Sequence, residues 1–535
     1  MTAHVLEMSW LLFLLYAETH YAFKGIYSRL KKKEPEIIAD APHRLEPGSP
    51  LPILILIKDA DKYPVVLDGV NVHLNGKKSV SFDFHGYPVR EAFWSKVIEI
   101  NRTASLTGPC HVQVEIEVRI NGKKRRIQND NYAATSHAPL DVFFAEHPLP
   151  KCEGWTFGEF HCHTSYTSDQ VEFGAPLEPS VKLAKALGLN FFCATDHSYD
   201  LDDMPDNYLQ NDPDLEKWRE LLKEIDHLNR DDPEFVVVPG EEVSAGNSKN
   251  RNIHFLILNH PDFLPGHGDS AEKWFRTRPN LSIAEVLHKI SPDAVAFAAH
   301  PGVKPPFLEW LLVRRGKWSY RDCRHPGLHG LQIWNGTENG FFEGKQLWRT
   351  LLLQGRRIFI SGGNDAHGNF NRFRQIGLPF FTMRESHEHL FGHVRTGVFL
   401  DAPFSLSALL DGFKKGRMIV TNGPFLQLKI YGTGDKVAFC GDTLKSDTMK
   451  LNVVCHSSPE FGPLRKLDLF YGDFGKQGET PLKTTTDFTK PYSHQEEIVL
   501  TESLRAGYIR GELFSGSEAR SFQCLTNPIW VKTLV

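Results

Sequence analysis

Seven short apolar runs recur between residues 155 and 367, and six of them carry an imidazole or a carboxylate at or near the C-terminal end. The runs are WTFGEFHC, LNFFCATD, EFVVVPGEE, IHFLILN, AVAFAAH, LHGLQIWN and RRIFISGG. The first ends in His161-Cys162-His163, the second in Thr195-Asp196-His197, the third in Glu241-Glu242. His254 lies in the fourth, His300-Pro301 closes the fifth, and the last runs into Asn364-Asp365-Ala366-His367. The sixth ends in Asn335-Gly336. Helix-patterned stretches lie between some of them, at 177–188 and 215–228, and SIAEVLHKI opens with a capping-box spacing from Ser282 to Glu285. Strands alternating with helices predict an α/β barrel or a doubly wound sheet. In a barrel the C-terminal strand ends share one mouth, so these groups would line a single cavity.

The chemistry follows from side-chain direction. His161 and His163 are two apart, so a strand turns both to the same side, and Asp365 and His367 repeat that spacing. Mixed histidine and carboxylate ligands suit zinc, manganese or iron. One zinc takes about four ligands. The chain offers about twice that number, which predicts two or three divalent ions with a carboxylate able to bridge a pair. Taken singly, each motif is an ordinary polar strand end, and His254 an ordinary core histidine. Their recurrence at successive strand ends is what makes a ligand set.

On either side the pattern changes. Residues 46–150 alternate apolar and polar positions, with Asn75-Gly76 and Asn121-Gly122 as hairpin turns, and predict a β-sandwich. Residues 424–535 return to that pattern and predict a second sandwich, leaving 151–423 as the central domain. Residues 1–45 read as an N-terminal helical segment, with an amphipathic helix over 4–30 ending in LKKK. MSWLLFLLYA is about ten residues long, short of the roughly 20 that span a bilayer, and no span is expected. Eight scattered cysteines without a CxxC pair point to reduced thiols and a cytoplasmic location, although the short apolar N-terminus leaves secretion open. Charges of 61 Lys and Arg against 65 Asp and Glu give −4 with no basic tract, so no nucleic-acid partner is expected.

The segments HCHTSYTSD, ATDHS, PGEEVS with NIHFLIL, AHPG and GGNDAHG match, in order, the motifs of the PHP (polymerase and histidinol phosphatase) superfamily, and the region 155–423 resembles it. The resemblance implies a distorted (βα)7 barrel holding up to three divalent metals, here flanked by N-terminal and C-terminal β-sandwich domains. The implied ligands are His161, His163, Asp169, His197, Glu242, His254, His300, Asp365 and His367. Glu242 is preferred to Glu241 because it directly precedes Val243-Ser244, which implies that Glu242 is the bridging carboxylate. MIVTNGP at 418–424 and the β-patterned end resemble the CehA/McbA-type branch.

The expected function is metal-dependent hydrolysis of a small-molecule ester, first of all a phosphoester. A carboxyl ester, amide or carbamate is the alternative, and a non-catalytic scaffold the rival class. Asp196 and His300 are the candidates, beside Glu242, for orienting a water or relaying its proton. Arg372 and Arg374, directly after the Asp-Ala-His motif, are the expected substrate-binding cations, with Asn335 at the mouth. Arg251, Arg276, Arg278, Arg314 and Arg315 are further cationic candidates. Trp274, Phe275, Trp310, Phe341 and Phe342 would favour an apolar substrate, and Asn422 is a further mouth candidate. The Pro-, Gly- and Arg-rich stretch from His260 to Asn280 reads as a lid, and Cys162 and Cys193 as packing residues turned away from the ligands.

Overall fold

The computed structural model describes residues 34–102, 106–131, 137–167, 174–204, 207–270, 276–372, 375–378, 381–384, 389–476, 478–500 and 505–532. The chain forms two compact units that do not follow the linear order. Met1–Pro148, Thr164–Leu189 and Ala366–Gly392 make the first; Leu149–His163, Asn190–Asp365 and His393–Val535 make the second.

The first unit holds β1 (Glu36–Asp40), β2 (Arg44–Leu45), β3 (Leu51–Lys58), β4 (Val65–Leu74), β5 (Lys77–Val89), β6 (Phe93–Ile100), β7 (Gly108–Ile120), β8 (Lys123–Gln128) and β9 (Leu140–Phe144); burial alternates along β4, β7 and β9, whereas β1 and β3 are buried throughout. One sheet has the order β1-β3-β6, the other β2-β9-β7-β4-β5 with β8 against β7. Ile53, Ile55, Val70, Val72, Val114 and Ile116 meet in one core. Asn75-Gly76 and Asn121-Gly122 take positive φ at both residues, the geometry that joins two right-twisted strands in a two-residue turn. Within the expected N-terminal helical segment, Glu36–Asp40 and Arg44–Leu45 are strands, a correction that follows from the burial of Ile37 and Ile38 and the pairing of β1 along β3. The helix expected over 4–30 lies outside the described residues.

The second unit begins with β10 (Trp155–His163) and β11 (Phe191–Ala194), followed by a short hairpin of β12 (Asp203–Met204) and β13 (Asn207–Asn211). Then come β14 (Val236–Gly246), β15 (Asn252–Leu258), β16 (Val295–Ala298), β17 (Gly330–Asn335) and β18 (Phe359–Gly363). β10, β11 and β14 run parallel; β15 is antiparallel to both β14 and β16; β16, β17 and β18 are parallel again. The run curls back on itself: the Asp365 N–H, just past β18, donates to the His161 carbonyl of β10 at 2.8 Å. Helix Glu216–Asp231 buries Trp218, Leu221 and Ile225. Helix Ile283–Lys289 starts with both hydrogen bonds of its capping box, between Ser282 and Glu285.

β19 (Ala366–His367) and the hairpin of β20 (Gln375–Leu378) and β21 (Phe381–Arg384) belong to the first unit. The second resumes with β22 (Arg395–Phe399), β23 (Met418–Thr421), β24 (Phe425–Gly432), β25 (Val437–Ala438), β26 (Thr443–Lys445), β27 (Met449–His456), β28 (Leu464–Asp473), β29 (Gly478–Thr485), β30 (Ser493–Leu500), β31 (Gly507–Gly516), β32 (Ser521–Thr526) and β33 (Ile529–Lys532). β22 pairs with β10, and the same sheet continues through β23, β32, β31, β28 and β29. β25-β24-β27-β30 form a separate four-stranded sheet.

This arrangement corrects the expected distorted (βα)7 barrel between two separate sandwiches. Strands far outnumber helices, and one mixed 16-stranded sheet runs from the central strands into the C-terminal ones. The reason is local at β14 and β15. Only residues 247–251 separate them, in a turn whose Lys249 and Arg251 N–H groups both donate to Asn247 Oδ1. A parallel crossover takes a dozen residues or more, so the chain has to return antiparallel. Among the described residues, no helix is long and apolar enough to cross a membrane.

Candidate metal centre

Seven of the expected ligands converge within the second unit. Every residue of β10 is buried, and alternation sends His161 and His163 to one side while Cys162 turns to the Cys193 carbonyl at 3.3 Å. Burial holds both thiols well above their usual range, in keeping with packing roles. Glu242, on β14 and fully buried, lies at the middle of the cluster. Its Oε1 is 2.8 Å from His254 Nδ1, 3.3 Å from His161 Nε2 and 3.4 Å from His300 Nε2. Its Oε2 is 2.9 Å from His197 Nδ1 and 3.8 Å from His163 Nε2. Asp365 Oδ1 is 3.0 Å from His163 Nε2 and 3.3 Å from His161 Nε2. Two ligand groups result, His161-His163-Glu242-Asp365 and His197-Glu242-His254, and Glu242 belongs to both.

The electrostatics bind these groups to one another. Burial alone would raise Glu242, but the His254 and His161 imidazoles outweigh it and hold the carboxyl well below its usual range. Asp365 behaves alike, pushed up by burial and pulled well down by His161 and His163. Burial lowers His161, yet Asp365 and Glu242 bring it up to about 10. Two of the ligands also carry backbone strain: His300 has φ 30° and Asp365 φ 53°. Such conformations cost about 1–3 kcal/mol each and persist where surrounding structure imposes them.

The donor set fits a divalent cation. Neither oxygen of Glu242 makes a hydrogen bond, nor does Nε2 of His161 or of His300. Each buried orphan costs about 1–3 kcal/mol. Several converging on one point are compensated by a cation among them, and imidazole with carboxylate suits zinc, manganese or iron.

Two residues that the sequence reading missed support the ligands. Gln332 Oε1 lies 2.9 Å from His161 Nδ1; an amide oxygen only accepts, so Nδ1 carries a proton and Nε2 is the nitrogen turned to Glu242 and Asp365. Gln332 Nε2 donates to Asn335 Oδ1 at 2.7 Å, and Asn335 Nδ2 donates to Asp365 Oδ2 at 3.2 Å. Asn335, expected to bind substrate, thus orients a ligand. Asp269 is the second. Its Oδ2 is 3.3 Å from His254 Nε2 and pairs with the Arg315 guanidinium, which also contacts His254. One signal was there to read, a glutamine inside an apolar strand; Asp269 is one of three acids in its insertion and nothing in the sequence set it apart.

Other expectations fall elsewhere. Asp196 is buried, and its carbonyl accepts from the Glu242 N–H at 2.8 Å. Glu241 faces away from the cluster, bonded to Ser198 Oγ and the Leu264 N–H, and burial raises it well above its usual range. His367 belongs to the first unit. So does Arg372, whose N–H donates to Asp40 Oδ1 at 3.0 Å and whose Nε is 3.8 Å from Asp40 Oδ2. Asp40 also accepts from the N–H groups of Phe370 and Asn371, so Arg372 belongs to a structural anchor. Asp169, Arg374, Trp274 and Phe275 lie outside the described residues. Phe341 is buried against Trp334 and Phe342 is exposed. Asn422 ties its strand to Gln523. The described part of the 260–280 insertion is anchored, with the His267 N–H on Asn280 Oδ1 and the Leu264 N–H on Glu241. A cavity of about 170 Å³ opens beside the cluster, lined by His254, His300, Arg315, Asn335 and Asp365.

No family model matches the chain, and no curated protein matches it. Solved structures do. The β-glucuronidase of Parabacteroides merdae is 9% identical, covering 94% of this chain and 64% of its own, with a TM-score of 0.19. The β-glucuronidase of Bacteroides uniformis is 11% identical over 93% of this chain and 61% of its own, at 0.16. A glycosyl hydrolase family 2 member of Bacteroides cellulosilyticus is 9% identical over 93% and 63%, at 0.17. The chain spans less than two thirds of the length of these enzymes. At such scores the likeness brings neither their fold nor their activity to this chain. No family model carries the expected kinship with PHP metallohydrolases of the CehA/McbA type, and the structures that match are glycoside hydrolases. The phosphoesterase function inferred from that kinship, its acyl-hydrolase alternative and the scaffold reading fall with it.

Proposed function

We propose that this chain is a hydrolase working through a centre of two or three divalent ions, built in the second unit around Glu242. The observation that carries the reading is the placement of Glu242: a fully buried carboxylate with both oxygens free of hydrogen bonds, shared by two groups of imidazole ligands. When bound, divalent ions lower the pKa of water to about 7 and stabilise negative charge developing on a substrate oxygen. His161, His163 and Asp365 would hold one ion, His197 and His254 another, with Glu242 between them. Gln332 keeps His161 in the ligating tautomer, and Asn335 holds Asp365 in place. His300 faces both Glu242 and the cavity, the position from which to exchange a proton with a bound substrate.

The test combines metal analysis with a substrate panel. The full chain is produced with manganese, iron and zinc supplied, its metal content measured, and chromogenic aryl substrates, aryl glycosides among them, assayed with and without chelator. The expected result is about two ions or more per chain and hydrolysis that chelation abolishes and metal restores. A His161→Ala/His163→Ala variant should fold and lose both metal and turnover. Less than about one ion per chain, with aryl-glycoside cleavage indifferent to chelator, would overturn the proposal.

A further inference from the structure

Beside the cavity, the short helix Phe307–Leu312 turns four apolar side chains outward. Phe307 is 67% exposed, Leu311 54%, Trp310 41% and Leu312 37%. Phe307 and Trp310 stack on each other at 6.0 Å. Isolated surface apolar residues are ordinary, but four within one six-residue helix form a patch.

Its surroundings are basic, although the chain as a whole carries −4. The Arg251 guanidinium lies 4.2 Å over the Trp310 ring and donates to the Trp310 carbonyl. Arg314 follows the helix and donates to the Asn250 carbonyl, beside exposed Lys249. Asn252 Nδ2 donates to the carbonyls of both Val313 and Thr277, which brings the exposed Arg276 and Arg278 to the same edge. Lys304 precedes the helix and is exposed, and Lys317 follows it. The nearby acids are taken up: Asp269 by Arg315, and Asp322 by Ser319 and the Ser248 N–H. Glu309, within the helix, interacts electrostatically with Arg315.

Exposed Trp, Phe and Leu ringed by Lys and Arg are the composition of a segment that lies in a membrane interface, apolar groups among the acyl chains and cations at anionic headgroups. We infer that helix Phe307–Leu312, with its basic rim, docks the second unit on an anionic lipid surface. The charge of the rim selects this occupant over a neutral apolar one, and the two attractions together supply the pair of signals that peripheral anchoring needs. Pro305, Pro306 and Glu309 also line the cavity, so docking brings the cavity mouth to the lipid surface. The inference does not depend on the metal centre.

The experiment is co-sedimentation of the full chain with phosphatidylcholine vesicles and with vesicles containing about 30% phosphatidylserine, at low and high salt. Binding to the anionic vesicles should be about tenfold tighter or more, and weakened by salt. Phe307→Ser/Leu311→Ser should weaken it about tenfold, and so should Lys304→Glu/Arg314→Glu, with melting temperature and metal content as in the parent. No sedimentation with either vesicle, equal binding to both, or binding that neither variant changes would overturn the inference. The first of these, with concentration-dependent self-association that the serine variant abolishes, would assign the patch to a protein partner instead.

Discussion

Two buried clusters of charge lie in the second unit, and they are built on opposite rules. One surrounds Arg510 in the C-terminal strands. Its Nε and Nη2 donate to the two oxygens of Glu479 at 2.6 and 2.7 Å, and its Nη1 to Glu512 at 2.5 Å. Lys345 and Arg349, from helix Phe341–Leu353, pair with Glu512 and Glu479, and Tyr508 donates to Glu479. Donors and acceptors match, so each charge is compensated inside the protein. The other cluster surrounds Glu242, where five imidazoles meet a carboxylate that accepts no hydrogen bond. Both are equally buried, so burial does not separate structure from function here. Satisfaction does: a closed network is a structural clamp, and an open one is waiting for a ligand.

The largest effect that this contrast predicts is on stability. Arg510→Met leaves Glu479 and Glu512 under-compensated in the interior and should cost about 3–5 kcal/mol of unfolding free energy, measured by denaturant titration, while metal content stays unchanged. A loss of metal in that variant would break the contrast. Next comes Glu242→Gln, which keeps shape but removes the shared charge. Metal affinity should fall about 100-fold or more, and the metal-free chain should lose less stability than the Arg510 variant, because the imidazoles that face Glu242 can give up their protons once its charge is gone. A marked loss of apo stability would make Glu242 a structural residue like Glu479. The smallest is Gln332→Leu, which frees the tautomer of His161 and should weaken metal binding about tenfold; Gln332→Glu, which still accepts from Nδ1, should restore most of it. Equal loss in both variants would show that Gln332 acts through packing alone.

Much of this was legible in the chain. The seven apolar runs are strands, the Asn-Gly pairs are hairpin turns, and His161, His163, His197, Glu242, His254, His300 and Asp365 stood out because ligand-type residues at the ends of apolar runs are unusual neighbours for a core. The supporting residues were not legible for a geometric reason. Strict alternation places Gln332 and Asn335 on opposite faces of their strand. A register shift between Gln332 and Trp334 re-aims the chain, and the two side chains meet at 2.7 Å. Arg372 misled in the opposite way, since nearness in sequence to Asp365 suggested the mouth while Asp40, more than three hundred residues away, claims its backbone.

The sequence by itself determined where strands form and which residues can ligate, because period-two burial and side-chain chemistry are local properties. Tertiary structure alone decided that β15 runs antiparallel, that the central sheet continues into the C-terminal strands, and that Glu242 is shared among five imidazoles. Those outcomes depend on hydrogen bonds and desolvation between segments far apart in the chain. No local pattern encodes the pairing partner of a strand or the charge that a buried carboxylate will face.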